Sequence, residues 1–246
     1  MTLQILPPPD GSTAPPDDAR LTRAADILDA LLAHRASGPD PLGGVVPTGI
    51  PVFDEPCGGL APGTLTAVVS PPGSRATSLL LRAALHAAAR ERPTLFCALD
   101  MTLATFAVGL ADVVTGAAWA RGGRDHPNGD AALRAAAAQL GELPLYVEVG
   151  NTISTHDVYA VAEGELIDFV VIDNYPLLIP TGSATDLKHC TTDLNVAALT
   201  SVTHASRDGD VHVAGLRGDL LAAADTIASY DPTEQSCRVV VTRAWP

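Results

Sequence analysis

Lysine is almost absent from this 246-residue chain: Lys188 is the only one, and the other permanently charged basic side chains are arginines. The formal net charge is -13. A surface of that sign repels a polyanion, so broad electrostatic binding of nucleic acid is disfavoured and any such contact needs a local basic patch. Nucleic acid is therefore a weakly supported partner. Cysteine is scarce too, and Cys57, Cys97, Cys190 and Cys237 form no C-x-x-C pair. That argues against a disulfide framework or a thiolate zinc site and leaves buried free thiols. The seven histidines show no i,i+4 pairing or shared motif, which argues against a metal site built on them. No apolar run reaches membrane-spanning length, and Met1–Pro16 has neither a basic start nor an apolar h-region. These absences lead to the expectation of a soluble, cytoplasmic protein with no membrane partner.

What is present is a chain with 47% hydrophobic residues, enough to bury a substantial core. Residues 1–16 are rich in Pro, Asp, Gly and Ser and read as a disordered tail. Residues 17–48 read as an amphipathic helix plus linker. Asp17 or Asp18 caps a helix to about Ala36, with Leu21, Ala24, Ala25, Leu28, Leu31 and Leu32 on one stripe. Pro and Gly punctuate Ser37–Thr48 as the linker. Residues 49–246 form the core domain. There, short apolar strands alternate with helical segments: strands at Leu65–Val69, Thr94–Leu99, Leu145–Val149, Ile167–Ile172, Val211–Leu216 and Arg238–Thr242, with a helix expected over Thr192–Ser206. That alternation predicts an α/β fold with a mostly parallel sheet covered by helices on both faces.

The stretch Leu65–Val69, Ser70-Pro71-Pro72-Gly73-Ser74-Arg75-Ala76-Thr77-Ser78 and the helix behind it have the layout of a phosphate-binding loop. Such a loop turns backbone N–H groups and a helix N-terminus toward an anion. The usual pattern is G-x-x-x-x-G-K-[ST]. Here Ser70 stands at the first glycine, Arg75 at the second, Ala76 at the lysine and Thr77 at the hydroxyl. The spacing survives while the charge is lost. Pro72, Gly73, Ser74, Arg75, Thr77 and Ser78 are the candidate cofactor-binding residues. Asp173 closes the apolar run Phe169–Ile172 in the manner of a carboxylate that holds a hydrated Mg²⁺. The alternative is an aspartate capping the next turn. Thr77 and Asp173 are thus the candidate metal ligands. Asp100, after the strand Thr94–Leu99, either orients a water or caps the helix that follows.

The run Pro47-Thr48-Gly49-Ile50-Pro51-Val52-Phe53-Asp54, then Gly58-Gly59-Leu60-Ala61-Pro62-Gly63-Thr64-Leu65, resembles the start of the RecA-type core of DnaB-like replicative helicases. Ala98-Leu99-Asp100-Met101-Thr102 is similar to that family's S-L-E-M-S run, and Val171-Ile172-Asp173-Asn174-Tyr175 to its I-D-Y segment. Leu143–Val147, Ile153–Thr155 and Leu216–Leu220 follow in the family's order, so the resemblance runs from about Pro47 to the C-terminus. It implies a RecA-like, P-loop NTPase-like sheet. It implies ATP and Mg²⁺ at Ser70–Thr77 if the altered loop still binds them, and Asp100 and Asp173 in the catalytic positions. It also implies a homo-oligomer or ring, with the helix Ala19–Ala36 packing on a neighbour, or a related ATPase as partner.

The departures bear on activity. Ala76 removes the ammonium that reaches the β- and γ-phosphates, Arg75 replaces a glycine, and Asp100 is one methylene shorter than the family's glutamate. Arg75 offers a guanidinium in compensation, from a neighbouring position that faces another direction. Loss of charge that stabilises phosphoryl transfer costs roughly a factor of 10³ in rate. Arg243 lies where the family has a lysine acting on the neighbour's nucleotide. The expectation is a catalytically degenerate helicase core acting by self-assembly or as a regulatory partner of an ATPase or DNA-processing machine. The alternatives are a weak ATP-dependent DNA helicase using Arg75, or a scaffold that binds no nucleotide.

Overall fold

The computed structural model describes residues 44–74, 76–116, 129–150, 153–177, 184–203 and 218–242. Contacts divide the chain into two units between Gly44 and Val45, and the architecture below is that of the second. The tail and helix expected before residue 37 lie outside the described residues, as do Arg75, the strand expected at Val211–Leu216, and Arg243.

Seven strands are described: β1 Leu65–Ser70, β2 Thr94–Ala98, β3 Leu145–Val149, β4 Phe169–Asp173, β5 Ala197–Thr203, β6 Thr226–Asp231 and β7 Ser236–Thr242. They form one sheet in the order β3-β2-β4-β5-β1-β6-β7. All neighbours pair in parallel except β6 and β7, which form an antiparallel pair. The helices are α1 Pro51–Cys57, α2 Ala76–Ala88, α3 Leu103–Thr115, α4 Gly129–Leu140, α5 Thr155–Gly164, α6 Ala184–Leu194 and α7 Gly218–Ala223.

Both faces of the sheet's centre are buried because alternate residues of the central strands feed two cores, while the edge strand β3 is partly exposed. From β1, Leu65, Ala67 and Val69 enter a core closed by α5 to α7, through Val158, Ala162, Leu187 and Leu220. Val68 points to the opposite core, where Phe53 of α1, Leu79, Leu80 and Ala84 of α2 and Phe106 of α3 pack. Each fully buried Leu or Phe contributes about 2 kcal/mol. This burial on both faces explains why the strands read as continuous apolar runs.

Two expectations need correction. The stretch expected as a helix over Thr192–Ser206 is the end of α6 followed by strand β5. Asn195 adopts φ +56 and ends the helix, and the alanines that suggested helical continuation are buried between β1 and β4. Tertiary burial overrides their propensity. A strand not expected from the sequence, β6 at Thr226–Asp231, pairs with β7 as a β-hairpin. The second unit also takes in Val45–Thr48: Val46 bridges to Leu60 and, like Thr48, is 1% exposed.

The glycine-rich approach to β1 has a steric and a polar cause. A Cβ at Gly59 would lie 2.0 Å from the Val46 carbonyl oxygen, so only glycine allows that bridge. The Asp54 carboxylate accepts from the Thr48 N–H at 2.9 Å, the Thr48 hydroxyl at 2.7 Å and the Gly49 N–H at 2.7 Å. Gly49 holds φ +71, and a Cβ there would meet the His86 ring at 2.8 Å. The Thr-Gly…Asp spacing thus folds as a local clamp that sets α1 against α2.

Candidate functional site

Parallel α/β sheets place ligands beyond the carboxyl ends of their strands, where connections leave in opposite directions. Here β1 leads over α2 to β2, three strands away, with β4 and β5 between them. The loop 71–74 leaves β1 at this end, and α2 begins at Ala76. Ser70 and Ser74 are buried, Pro72 and Gly73 are exposed, and Thr77 and Ser78 lie at the edge of the buried region. Ala76, at the lysine position, is 8% exposed and belongs to the core beneath the loop.

The side chains meet at Asp173, the last residue of β4 and only 3% exposed. Its Oδ2 accepts the Thr77 hydroxyl at 2.6 Å and its Oδ1 accepts the Ser201 hydroxyl at 2.7 Å. The Ser201 oxygen in turn accepts the Asn174 N–H at 2.7 Å. Asn174 holds φ +60 and donates through Nδ2 to Asp100 Oδ2 at 3.2 Å. Burial raises the Asp173 pKa, the Thr77 and Ser201 hydrogen bonds pull against that rise, and the nearby Asp100 charge adds to it. Burial wins because two neutral hydroxyls cannot replace the lost hydration of a carboxylate.

The structure therefore brings together Thr77, Asp173 and Asp100. Helix α3 is capped by Thr102, whose hydroxyl accepts the Thr105 N–H at 3.2 Å, so Asp100 is not its cap. The Asp173 carboxylate is held by Thr77 of α2 and Ser201 of β5, and the Asn174 N–H of the turn that follows acts on it as well. Ser201 was missed for a physical reason: assigned to a helix, it had no reason to stand beside β4. The signal available was the run Val196–Thr203, which is apolar and β-branched and ends in hydroxyls.

Lys188 and His189 lie on α6. Lys188 donates to the Gly63 carbonyl and to Asp225 Oδ2 at 2.8 Å, and the same Asp225 oxygen accepts the Leu65 N–H at 2.7 Å. These residues stand at the amino end of β1. The only lysine is structural and sits at the opposite edge of the sheet from the loop.

Two adjoining cavities open beside the loop. One, of about 230 Å³, is lined by Gly73, Ser74, Ser78, Arg82, Tyr230 and Gln235. The other, of about 410 Å³, is lined by Thr48, Gly49, Val52, His86 and Cys237, and shares Leu79, Arg82 and Gln235 with the first. Burial lowers the His86 pKa, as does Arg90, while Asp54 opposes. At neutral pH that wall of the second cavity carries no added cation.

The donor set at Thr77 and Asp173, a hydroxyl and a buried carboxylate, suits a hard cation such as Mg²⁺. Bound there, the ion would offset the charge of a polyphosphate. The loop 71–74 runs from β1 to the N-terminus of α2, the kind of helix end that favours an anion, and Ala76 there carries no charge.

Comparison with known proteins addresses the fold. No family model and no curated protein matches the sequence. Among solved structures, the ATPase domain of one DnaB-like helicase superposes with a TM-score of 0.74 at 16% identity, covering 92% of this chain and 93% of that one. A DnaB-like replicative helicase, solved with a view to its interactions with primase, gives 0.68 at 16% identity and covers 85% of this chain. The match spans 56% of that helicase's chain. The fold is that of a DnaB-like helicase ATPase domain. Within this DnaB-like core the strand β5 and its Ser201 lie between the loop strand and the Asp173 strand. Among the described residues, no helix is long and apolar enough to cross a membrane, and no cluster of three His, Cys, Asp or Glu is placed to hold a metal.

Proposed function

We propose that this chain is a hydrolysis-deficient, nucleotide-binding relative of DnaB-like helicase cores that acts through assembly, either with copies of itself or as a regulatory partner of an active ATPase. The observation that carries this reading is the Thr77–Asp173 contact at 2.6 Å beside a loop whose lysine position holds alanine. Thr77, Asp173 and Ser201 keep the oxygen donors that orient a cation. Pro72, Gly73, Ser74 and Ser78 form the anion cradle. Ala76 supplies no charge where it would develop in phosphoryl transfer, and Asp100 is tied to Asn174 on a side chain too short for the family's water-orienting glutamate. Assembly is supported by the resemblance of the core, in whose family a helix ahead of it packs on the neighbouring subunit, the position of the helix expected at Ala19–Ala36.

Calorimetric titration with ATP and ADP, with and without Mg²⁺, tests the reading alongside a coupled turnover assay and sedimentation. Binding without turnover, by a protein that sediments as an oligomer or co-sediments with an ATPase, is the expected result. A second reading is favoured by the retained Thr77–Asp173 pair: a weak ATP-dependent DNA helicase that uses Arg75. Turnover that disappears in Arg75→Ala would replace the first reading with this one.

A further inference from the structure

Among the described residues, the arginine that lines the cavities beside the loop is not where a phosphate-loop lysine stands. Arg82 lies on α2, one turn beyond Ser78, and borders both cavities. Residues four apart share a helix face, and helical side chains lean toward the N-terminus, so the Arg82 guanidinium reaches back over Ser78. Arg82 is exposed, and among the described residues its guanidinium makes no hydrogen bond or ion pair. Thr77, five residues before Arg82, is about 140° away around the helix and points instead to Asp173.

Ser74 lines the same cavity, and its backbone N–H bonds the Pro71 carbonyl at 3.2 Å, so its hydroxyl is the group it can offer a ligand there.

The charge around the site is therefore polarised. Among the described residues, the Asp173 and Asp100 carboxylates stand toward Thr77, and the guanidinium of Arg82 stands toward Ser78. The terminal phosphate of a triphosphate, seated in the usual sense, would face the carboxylates. We propose, resting on the nucleotide-binding reading above, that Arg82 anchors the ligand and that the site prefers a nucleoside diphosphate to the triphosphate. Ser74, Ser78 and Arg82 hold the phosphate end, and the nucleoside extends past Gln235 into the cavity beside His86.

The test is calorimetry with ADP and ATP in the absence of Mg²⁺, on the wild-type chain, Arg82→Ala, Arg82→Gln and Arg75→Ala. ADP should bind at least tenfold tighter than ATP. Both Arg82 variants should weaken ADP at least tenfold with unchanged melting temperature, and Arg75→Ala should change it less than threefold. Wild-type affinity for ADP in both Arg82 variants, loss confined to Arg75→Ala, or equal affinity for ATP would overturn the inference while leaving the nucleotide-binding reading intact. If the wild-type chain bound neither nucleotide, that reading and this inference would both fall.

Discussion

The two ends of the central strand β1 solve opposite electrostatic problems. At its amino end the only lysine is paired: Lys188 meets Asp225, and Asp225 also accepts the Leu65 N–H, so each polar group has a partner. At its carboxyl end two aspartates stand near each other, one almost fully buried, with hydroxyls and an amide but no lysine or paired arginine among the described residues. One end is finished by the chain itself. At the other, no cationic side chain among the described residues bonds the two carboxylates, and burial raises the pKa of Asp173. Placing the single lysine at the end without the loop separates the fold's electrostatics from the family's chemistry.

This contrast can be broken at either end. The largest effect should come from Lys188→Ala, which leaves Asp225 half-buried and unpaired. We expect a loss of about 3 kcal/mol in urea unfolding, with nucleotide affinity unchanged. If affinity fell and stability did not, the lysine would belong to the site after all.

Next in size is Ala76→Lys, which returns an ammonium to the carboxyl end. ATP should then bind about tenfold tighter, roughly 1.4 kcal/mol, by calorimetry. The ligand-free protein should melt lower, because residue 76 is part of the core beneath the loop. No gain in ATP affinity would mean that the loop cannot seat a terminal phosphate even with its charge restored.

Asp173→Asn should stabilise the ligand-free protein by about 1 kcal/mol, because a buried charge is removed while a hydrogen-bonding amide remains. The direction of the pH dependence follows from the raised pKa of Asp173. A carboxyl whose folded pKa lies above its unfolded value destabilises the fold when ionised. That penalty is relieved as pH falls through the raised value. The advantage of Asp173→Asn over wild type should therefore be present at neutral pH and shrink on acidification through the raised folded pKa, in paired thermal melts. An advantage that grew on acidification would mean the carboxylate is already compensated.

The smallest effect is expected from Ser201→Ala. It removes one donor to Asp173 and the acceptor for the Asn174 N–H, for a loss of about 1 kcal/mol. It should also raise the Asp173 pKa further, visible as a shift of the pH at which Mg²⁺ binding is lost. No shift would show that Ser201 serves the backbone alone.

Much of this architecture was legible in the chain because parallel strands buried on both faces write themselves as short apolar runs. Leu65–Ser70, Thr94–Ala98 and Phe169–Asp173 carry that pattern, and the structure places strands there, as it does at the partly exposed edge run Leu145–Val149. The Thr48-Gly49…Asp54 and Gly58-Gly59 spacings were legible as a resemblance, and their cause is a local carboxylate clamp and one sterically closed bridge. The substitution of Ala76 for lysine was visible by counting alone, since a chain with one lysine has no second to offer.

What the sequence by itself determined is local: the alternation that makes the sheet, the length of the loop between β1 and α2, and the loss of its ammonium. Strand order, and with it the company each side chain keeps, was decided only by tertiary packing. Helix propensity favoured a helix across Thr192–Ser206, and burial between two strands made β5 of its second half, which carried Ser201 to Asp173. The same packing sent Lys188 to the opposite edge of the sheet and left Arg82 beside the cavity. Chemistry at such a site depends on residues that meet across 28 to 96 positions of chain, and a one-dimensional pattern carries no information on which of them will touch.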